Sequence, residues 1–266
     1  AALYARWAPT HSAAPAAEPT AAPATDAPAT EAPASEAPAA LSGSVSTNGS
    51  TSMEKVINIL AEQFMLDNPG VSVTYDPTGS GTGIESTRTG SCDIGLASRA
   101  LKTSETGLTG TIVALDGIAI IVNKDCPVED LTIEQIADIY TGKITNWKEL
   151  GGADANIVVV SRDTSSGTYE TWEEMVMKKA KVMPKALLQA SNGAVEQVVA
   201  KNPNAIGYVG LGYLAPSIKG LHIGKVAASA ETALSKEWPL SRELYVFTNG
   251  EPAGASGALI KYILDP

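Results

Sequence analysis

A chain of 266 residues with 44% apolar and 18% charged residues is too long for one small core and fits two modest lobes plus a linker. Its formal charge of −10 argues against nucleic acid or an anionic membrane surface as the main partner, because both need an extended basic footprint. No apolar run approaches the roughly 18 to 20 residues of a membrane-spanning helix.

Residues 1–42 read as a tether. Between residues 8 and 42 there are seven prolines, four acids and no Lys or Arg, in a loose repeat such as APATDAPATEAPASEAPAA. Such a composition cannot bury enough apolar surface to offset its ordering entropy, so a disordered spacer of polyproline character is expected, as in a stalk on an exported protein or a plain disordered tail. Neither a signal peptide nor a lipid-accepting Cys opens the sequence, so any export signal is expected to have been removed or to lie outside it.

From Gly43 the pattern becomes alternating strand and helix. SVSTN reads as a strand, and Met53, Val56, Ile57, Leu60 and Phe64 then recur at helical spacing up to DNPG. VSVTYD alternates as a second strand, GSGTGIEST starts a helix and CDIGLAS returns as a strand. That βαβαβ order predicts an α/β fold with a largely parallel sheet.

The long apolar run TIVALDGIAIIVNKD is suited to carry the chain into a second lobe. There LTIEQIADIYTG, with Leu131, Ile133, Ile136 and Ile139 partly inward, reads as a helix, IVVVS as a buried strand, and TYETWEEMVMKKA and AVEQVVAKN as further helices. AIGYVGLGYL is expected to cross back, with LYVFTNG and GALIKYIL completing the first lobe. The first lobe is thus expected over 43–116 and 209–266, and the second over 117–208. Two crossings make a hinge, and ligand sites favour such interfaces.

Three loops share one chemistry. NGSTS (Asn48 to Ser52), TGSGTG (Thr78 to Gly83) and SSGT (Ser165 to Thr168) each place Gly and hydroxyl residues between a strand and a helix start. Helix N-termini leave N–H groups unpaired and carry partial positive charge. Any one loop is explained as well by ordinary N-capping, but three of them with Arg162 beside one point to a bound anion. None is a nucleotide-binding phosphate loop or a dinucleotide fingerprint, so a small bare oxyanion fits better. Asp93, in CDIGLASRA, stands close to Ser98 and Arg99. Either it accepts a hydrogen bond from a protonated oxyanion, which phosphate supplies and sulfate does not, or it caps a helix or pairs with an arginine. Cys92 and Cys126, two thiols without metal-ligand spacing, read as free small hydrophobes or as one bridge.

With these residues in view, residues 43 to 266 resemble the phosphate-binding proteins of the phosphate ABC transporter, a likeness that extends through GKITNWKEL and NAIGYVGLGYL. The resemblance implies the two-lobe type 2 periplasmic-binding-protein fold, each lobe a mostly parallel sheet flanked by helices, joined by a two-crossing hinge. It also implies phosphate ligands at Thr51, Ser52, Ser80, Asp93, Arg162, Ser166, Gly167 and Thr168, with Ser50, Ser98 and Arg99 as further candidates. Where the family often has Asp-Gly after its Arg-x pair, this chain has Thr164-Ser165 with Asp163 ahead of them. Asp163 then either steadies Arg162 or leaves it freer. The resemblance further implies a monomer outside the cytoplasm, lipid-anchored at a Gram-positive-type cell surface, that delivers inorganic phosphate to a membrane permease with no metal, cofactor or nucleic acid. The rival readings are a binder of molybdate, tungstate or sulfate, a surface adhesion or sensing protein, and an enzyme. For the last a general base is scarce, since His11 lies in the tether and His222 has no acid close in sequence.

Overall fold

The computed structural model describes residues 40–265, so the tether expected over residues 1–42 falls almost wholly outside the described residues. In chain order the first elements are β1 (Ser42–Gly49), α1 (Glu54–Asp67), β2 (Gly70–Asp76), α2 (Ser80–Arg88) and β3 (Ile94–Ala97). Then come β4 (Thr109–Asn123), β5 (Asp130–Leu131), α3 (Ile133–Thr141), β6 (Val158–Arg162), α4 (Gly167–Met175), β7 (Leu187–Gln189) and α5 (Asn192–Lys201). The chain finishes with β8 (Ala205–Gly210), β9 (Ile218–Gly220), β10 (His222–Ile223), α6 (Ala230–Leu234), β11 (Ser241–Thr248) and α7 (Gly254–Leu264).

The main sheet runs β2-β1-β3-β11-β4-β8-β6-β7, with β9 attached to β4. β1 pairs in parallel with β2 and β3, as the βαβαβ pattern requires, and β6 pairs in parallel with β7 and β8. β4 joins the two halves. Its first part pairs with β11 up to Gly117, and from Ile118 onward it pairs with β8 and β9, so one strand passes between the lobes without a break. This explains the length of its apolar run. Ile118, Ile120 and Val122 enter one core with Tyr140, Trp172, Tyr208 and Trp238, while Ala119 and Ile121 enter another with Val160, Val195 and Val199. A strand covered on both faces carries no polar alternation.

The first lobe has its own core of Val45, Met53, Ile57, Phe64, Ile94, Leu96, Val246 and Leu259. α1 contributes Ile57, Ala61 and Phe64 at helical spacing, whereas Val56, expected on the inner stripe, is 45% exposed. Asn68 ends that helix by donating from its backbone N–H and side-chain amide to the Phe64 carbonyl, each at 2.9 Å.

Two expectations need correction. AIGYVGLGYL does not carry the chain back at residue 209: β8 and β9 both pair with the second half of β4, and Leu221, Ile223, Trp238 and Leu240 pack in the second lobe's core. The return comes with β11 at Ser241. The run looked like a bridge because it is apolar on both faces, which a central strand also is. The helix expected over TYETWEEMVMKKA ends at Met175, ahead of Lys178 and Lys179 with φ of 48° and 70°. Cys92 and Cys126 are both free and buried.

Candidate functional site

The three loops picked out by their chemistry converge at the carboxyl ends of parallel strands, where open α/β sheets bind ligands. β1 ends at Gly49 and releases Ser50–Ser52, β3 ends beside Ser98, and β6 ends at Arg162. Gly49 has φ +137°, and a Cβ there would stand 2.1 Å from the Leu96 carbonyl oxygen, so only glycine lets β1 turn against β3 at this point. α2 starts at Ser80 and α4 at Gly167, the latter capped by the Ser166 hydroxyl, which accepts from the Tyr169 N–H at 3.1 Å.

Across the cleft the lobes touch. The Ser52 Oγ lies 3.0 Å from the Thr168 Oγ1, and the Gly81 N–H donates to the Ser165 carbonyl at 3.0 Å. The Ser80 Oγ accepts from the Ser98 N–H at 3.1 Å and lies 3.2 Å from the Ser98 Oγ. Ser50, Thr51, Ser80, Ser98, Arg162, Ser166 and Thr168 are each at most 2% exposed. So many polar side chains held out of water around the loop ends form a polar cluster rather than an apolar core.

Arg162 brings a buried guanidinium to the end of β6, beside this cluster in the chain. Its Nε and Nη2 donate to the Gln189 and Ala190 carbonyls at 3.0 and 2.9 Å, which fixes the guanidinium. Its Nη1 is buried without a partner, and no carboxylate forms an ion pair with it among the described residues. Burial pulls Arg162 below the usual guanidinium value; the charge of nearby Asp163 opposes that pull in part, and Arg242 adds a smaller push in the same direction as burial. A buried, uncompensated cation is strongly unfavourable unless an anion joins it. Asp163 does not supply that charge as a bonded partner. Its Oδ1 accepts from the Ser165 N–H at 2.8 Å and from the Ser165 hydroxyl, shaping the SSGT turn.

Comparison with known proteins agrees with this geometry. Residues 32–266 match the family model of the PBP superfamily domain. The chain belongs to the PBP superfamily. It is 33% identical to the phosphate-binding protein PstS of Bacillus subtilis strain 168 over 227 residues, spanning 84% of this chain and 75% of that one. A PstS from Borreliella burgdorferi is also 33% identical, over 78% of this chain and 79% of its own. Among solved structures, a substrate-binding protein assigned to a phosphate ABC transporter of Clostridium perfringens, with bound phosphate, superposes with a TM-score of 0.81 at 42% identity. The superposition covers 84% of this chain and 93% of that one.

Within this PBP-superfamily cleft, two of the sequence-based candidates sit elsewhere. Asp93 is exposed and precedes β3, where its Oδ2 accepts from the Ser46 N–H and hydroxyl, both at 2.7 Å. Ser98 follows the other end of β3, so five residues at about 3.3 Å each put roughly 16 Å between them. Asp93 therefore staples β1 to the base of β3 and does not face the cleft. Arg99 is buried near the cleft but already neutralised: Nη1 and Nη2 donate to Glu105 at 2.7 and 2.8 Å, and Nε meets Glu170. It joins the first lobe to α4.

Two cleft residues were missed. Asn192 and Arg242, 0% and 7% exposed, both reach the Ser52 hydroxyl. Asn192 opens a helix and looks like part of a cap. Arg242 shares the inward face of β11 with Leu244 and Val246, and that period-2 placement is the signal that would have found it.

Proposed function

We propose that this protein captures one inorganic phosphate ion in the closed cleft between its lobes, outside the cytoplasm, and delivers it to the permease of an ABC transporter. The observation that carries the reading is Arg162: a buried guanidinium with one nitrogen unpartnered and no ion-paired carboxylate among the described residues, at the end of the strand that leads into the buried hydroxyls of the SSGT turn. Thr51, Ser52, Ser80, Ser166 and Thr168, the start of α4 at Gly167 and the candidates Ser50 and Ser98 supply donors, and the anion supplies the missing negative charge. The PstS relatives and the phosphate-bound relative favour phosphate among the tetrahedral ions.

The placement of Asp93 weakens one argument for phosphate over sulfate, since the proton acceptor read from the sequence is not in the cleft. Asp116, near Ser52, is taken up by Arg242 and the Leu211 N–H. The Pro- and Ala-rich composition of residues 8–42 supports a tether at the cell surface, and lipid anchoring and a monomeric state belong to the same proposal. Isothermal titration with phosphate and sulfate in parallel tests the reading: tight one-to-one phosphate binding supports it, and no heat with phosphate refutes it.

A further inference from the structure

We propose that Asn192, assisted by Arg242, sets the direction of the Thr51 and Ser52 hydroxyls and commits both to donate their hydrogens to the bound anion; this rests on the phosphate reading above. Asn192 is wholly buried at the start of α5. Its Oδ1 accepts from the Gly210 N–H at 3.0 Å, which leaves one orientation for the amide. Nδ2 then carries its two hydrogens to the Thr51 Oγ1 at 2.8 Å and the Ser52 Oγ at 3.1 Å.

Each of these oxygens receives a second N–H. The Asn192 backbone N–H points at the Thr51 Oγ1 at 3.4 Å, and the Arg242 Nη2 donates to the Ser52 Oγ at 2.9 Å. Arg242 is itself fixed, with Nε and Nη2 on the Asp116 Oδ2 at 3.1 and 2.8 Å while the Asp116 Oδ1 accepts from the Leu211 N–H at 3.1 Å. A hydroxyl has two lone pairs and one hydrogen. With both lone pairs occupied by groups that only donate, the hydrogen alone remains to be offered.

For Ser52 the remaining neighbour is the Thr168 Oγ1, the contact that bridges the lobes. Donors whose direction is set by the surrounding fold meet an oxyanion without having to reorient. A ligand group that must itself donate at these two positions meets a hydrogen instead of a lone pair, so this end of the cleft selects bare acceptor oxygens. Asn192 and Arg242 are positioning residues in this scheme, acting on the ligand through Thr51 and Ser52.

Neutron diffraction from deuterium-exchanged crystals of the protein grown with inorganic phosphate reads the hydroxyl directions themselves, which a purely structural role for Asn192 would not determine. The expected map places the Thr51 and Ser52 deuterons between their oxygens and phosphate oxygens. Deuterons aimed at Asn192 or at Thr168 in that complex would overturn the inference while leaving phosphate binding intact, and crystals that exclude phosphate would overturn both. As a second measurement, Asn192→Leu removes the Nδ2 donors at similar volume without adding charge. Its phosphate affinity is expected to fall about tenfold or more, since each hydrogen bond to a charged group is worth roughly that much. An affinity within twofold of wild type would overturn the assignment.

Discussion

Gly167 and Ser80 approach each other across the cleft so closely that a methyl group on Gly167 would stand 2.3 Å from the Ser80 Oγ and 2.8 Å from the Ser98 Oγ. The contact joins the start of α4 in one lobe to the start of α2 in the other. Gly167→Ala is therefore expected to oppose closure rather than folding. Overpacking costs about 1–3 kcal/mol, so phosphate affinity should drop roughly 5- to 150-fold while the ligand-free melting temperature hardly moves. Titration calorimetry and a thermal melt of the same variant check both halves of that expectation.

Glu170 faces Arg99 and Lys102 across the same boundary, and its Oε1 accepts from the Lys102 Nζ at 2.9 Å. Because Arg99 keeps Glu105 when Glu170 is neutralised, Glu170→Gln removes an interlobe attraction without orphaning a buried cation. A loss of about 1 kcal/mol from the closed state is expected. Stopped-flow fluorescence should show it mainly as a several-fold faster phosphate release, with the on-rate nearly unchanged.

Asp93 provides the complementary negative result. Since its carboxylate is bound to Ser46 at the far end of β3, Asp93→Asn should leave phosphate affinity and the phosphate-to-sulfate ratio within about twofold of wild type. Its effect belongs to stability, at about 1 kcal/mol for two hydrogen bonds at an exposed site. A tenfold change in either binding measure would return Asp93 to the cleft.

Glu105 gives a pH signature. Burial pushes its carboxyl up, but hydrogen bonds from Arg99 and the Lys102 N–H more than offset that and leave it below the ordinary glutamate value. A depressed carboxyl contributes stability that is complete above the unfolded value of about 4.3 and is lost as pH falls through the folded value. The melting-temperature gap between wild type and Glu105→Gln should therefore be open at pH 7 and close progressively below about pH 4. A gap that stayed constant with pH would show that the ion pair with Arg99 adds nothing.

How far the sequence reveals all this depends on how local each signal is. Ser166 as a cap and most of the α1 stripe are decided within one or two turns of chain: Ser166 caps α4, and Ile57 and Phe64 face inward as their spacing suggests, while Val56 does not. Asp93 was misread because CDIGLAS states that a strand exists but not which of its ends faces the cleft; β3 runs parallel to β1, which sends Ser98 to the site and Asp93 away from it. Asn192 and Arg242 meet Ser52 over separations of 140 and 190 residues, so nothing beside them in the chain records the contact. The position of the return crossing was hidden for a different reason: a strand buried on both faces and a strand bridging two lobes have the same apolar composition.

The direct test of the cleft's central feature is a calorimetric titration of phosphate into wild type and Arg162→Met, with thermal melts of both ligand-free proteins. Among the described residues Arg162 has no ion-pair partner and has one nitrogen to spare, so the variant should lose about 2–5 kcal/mol of binding, and its ligand-free form should be at least as stable because a buried charge without a bonded counter-charge has gone. A variant that bound phosphate within tenfold of wild type, or that melted well below it without ligand, would contradict the assignment of Arg162 as the anion's counter-charge.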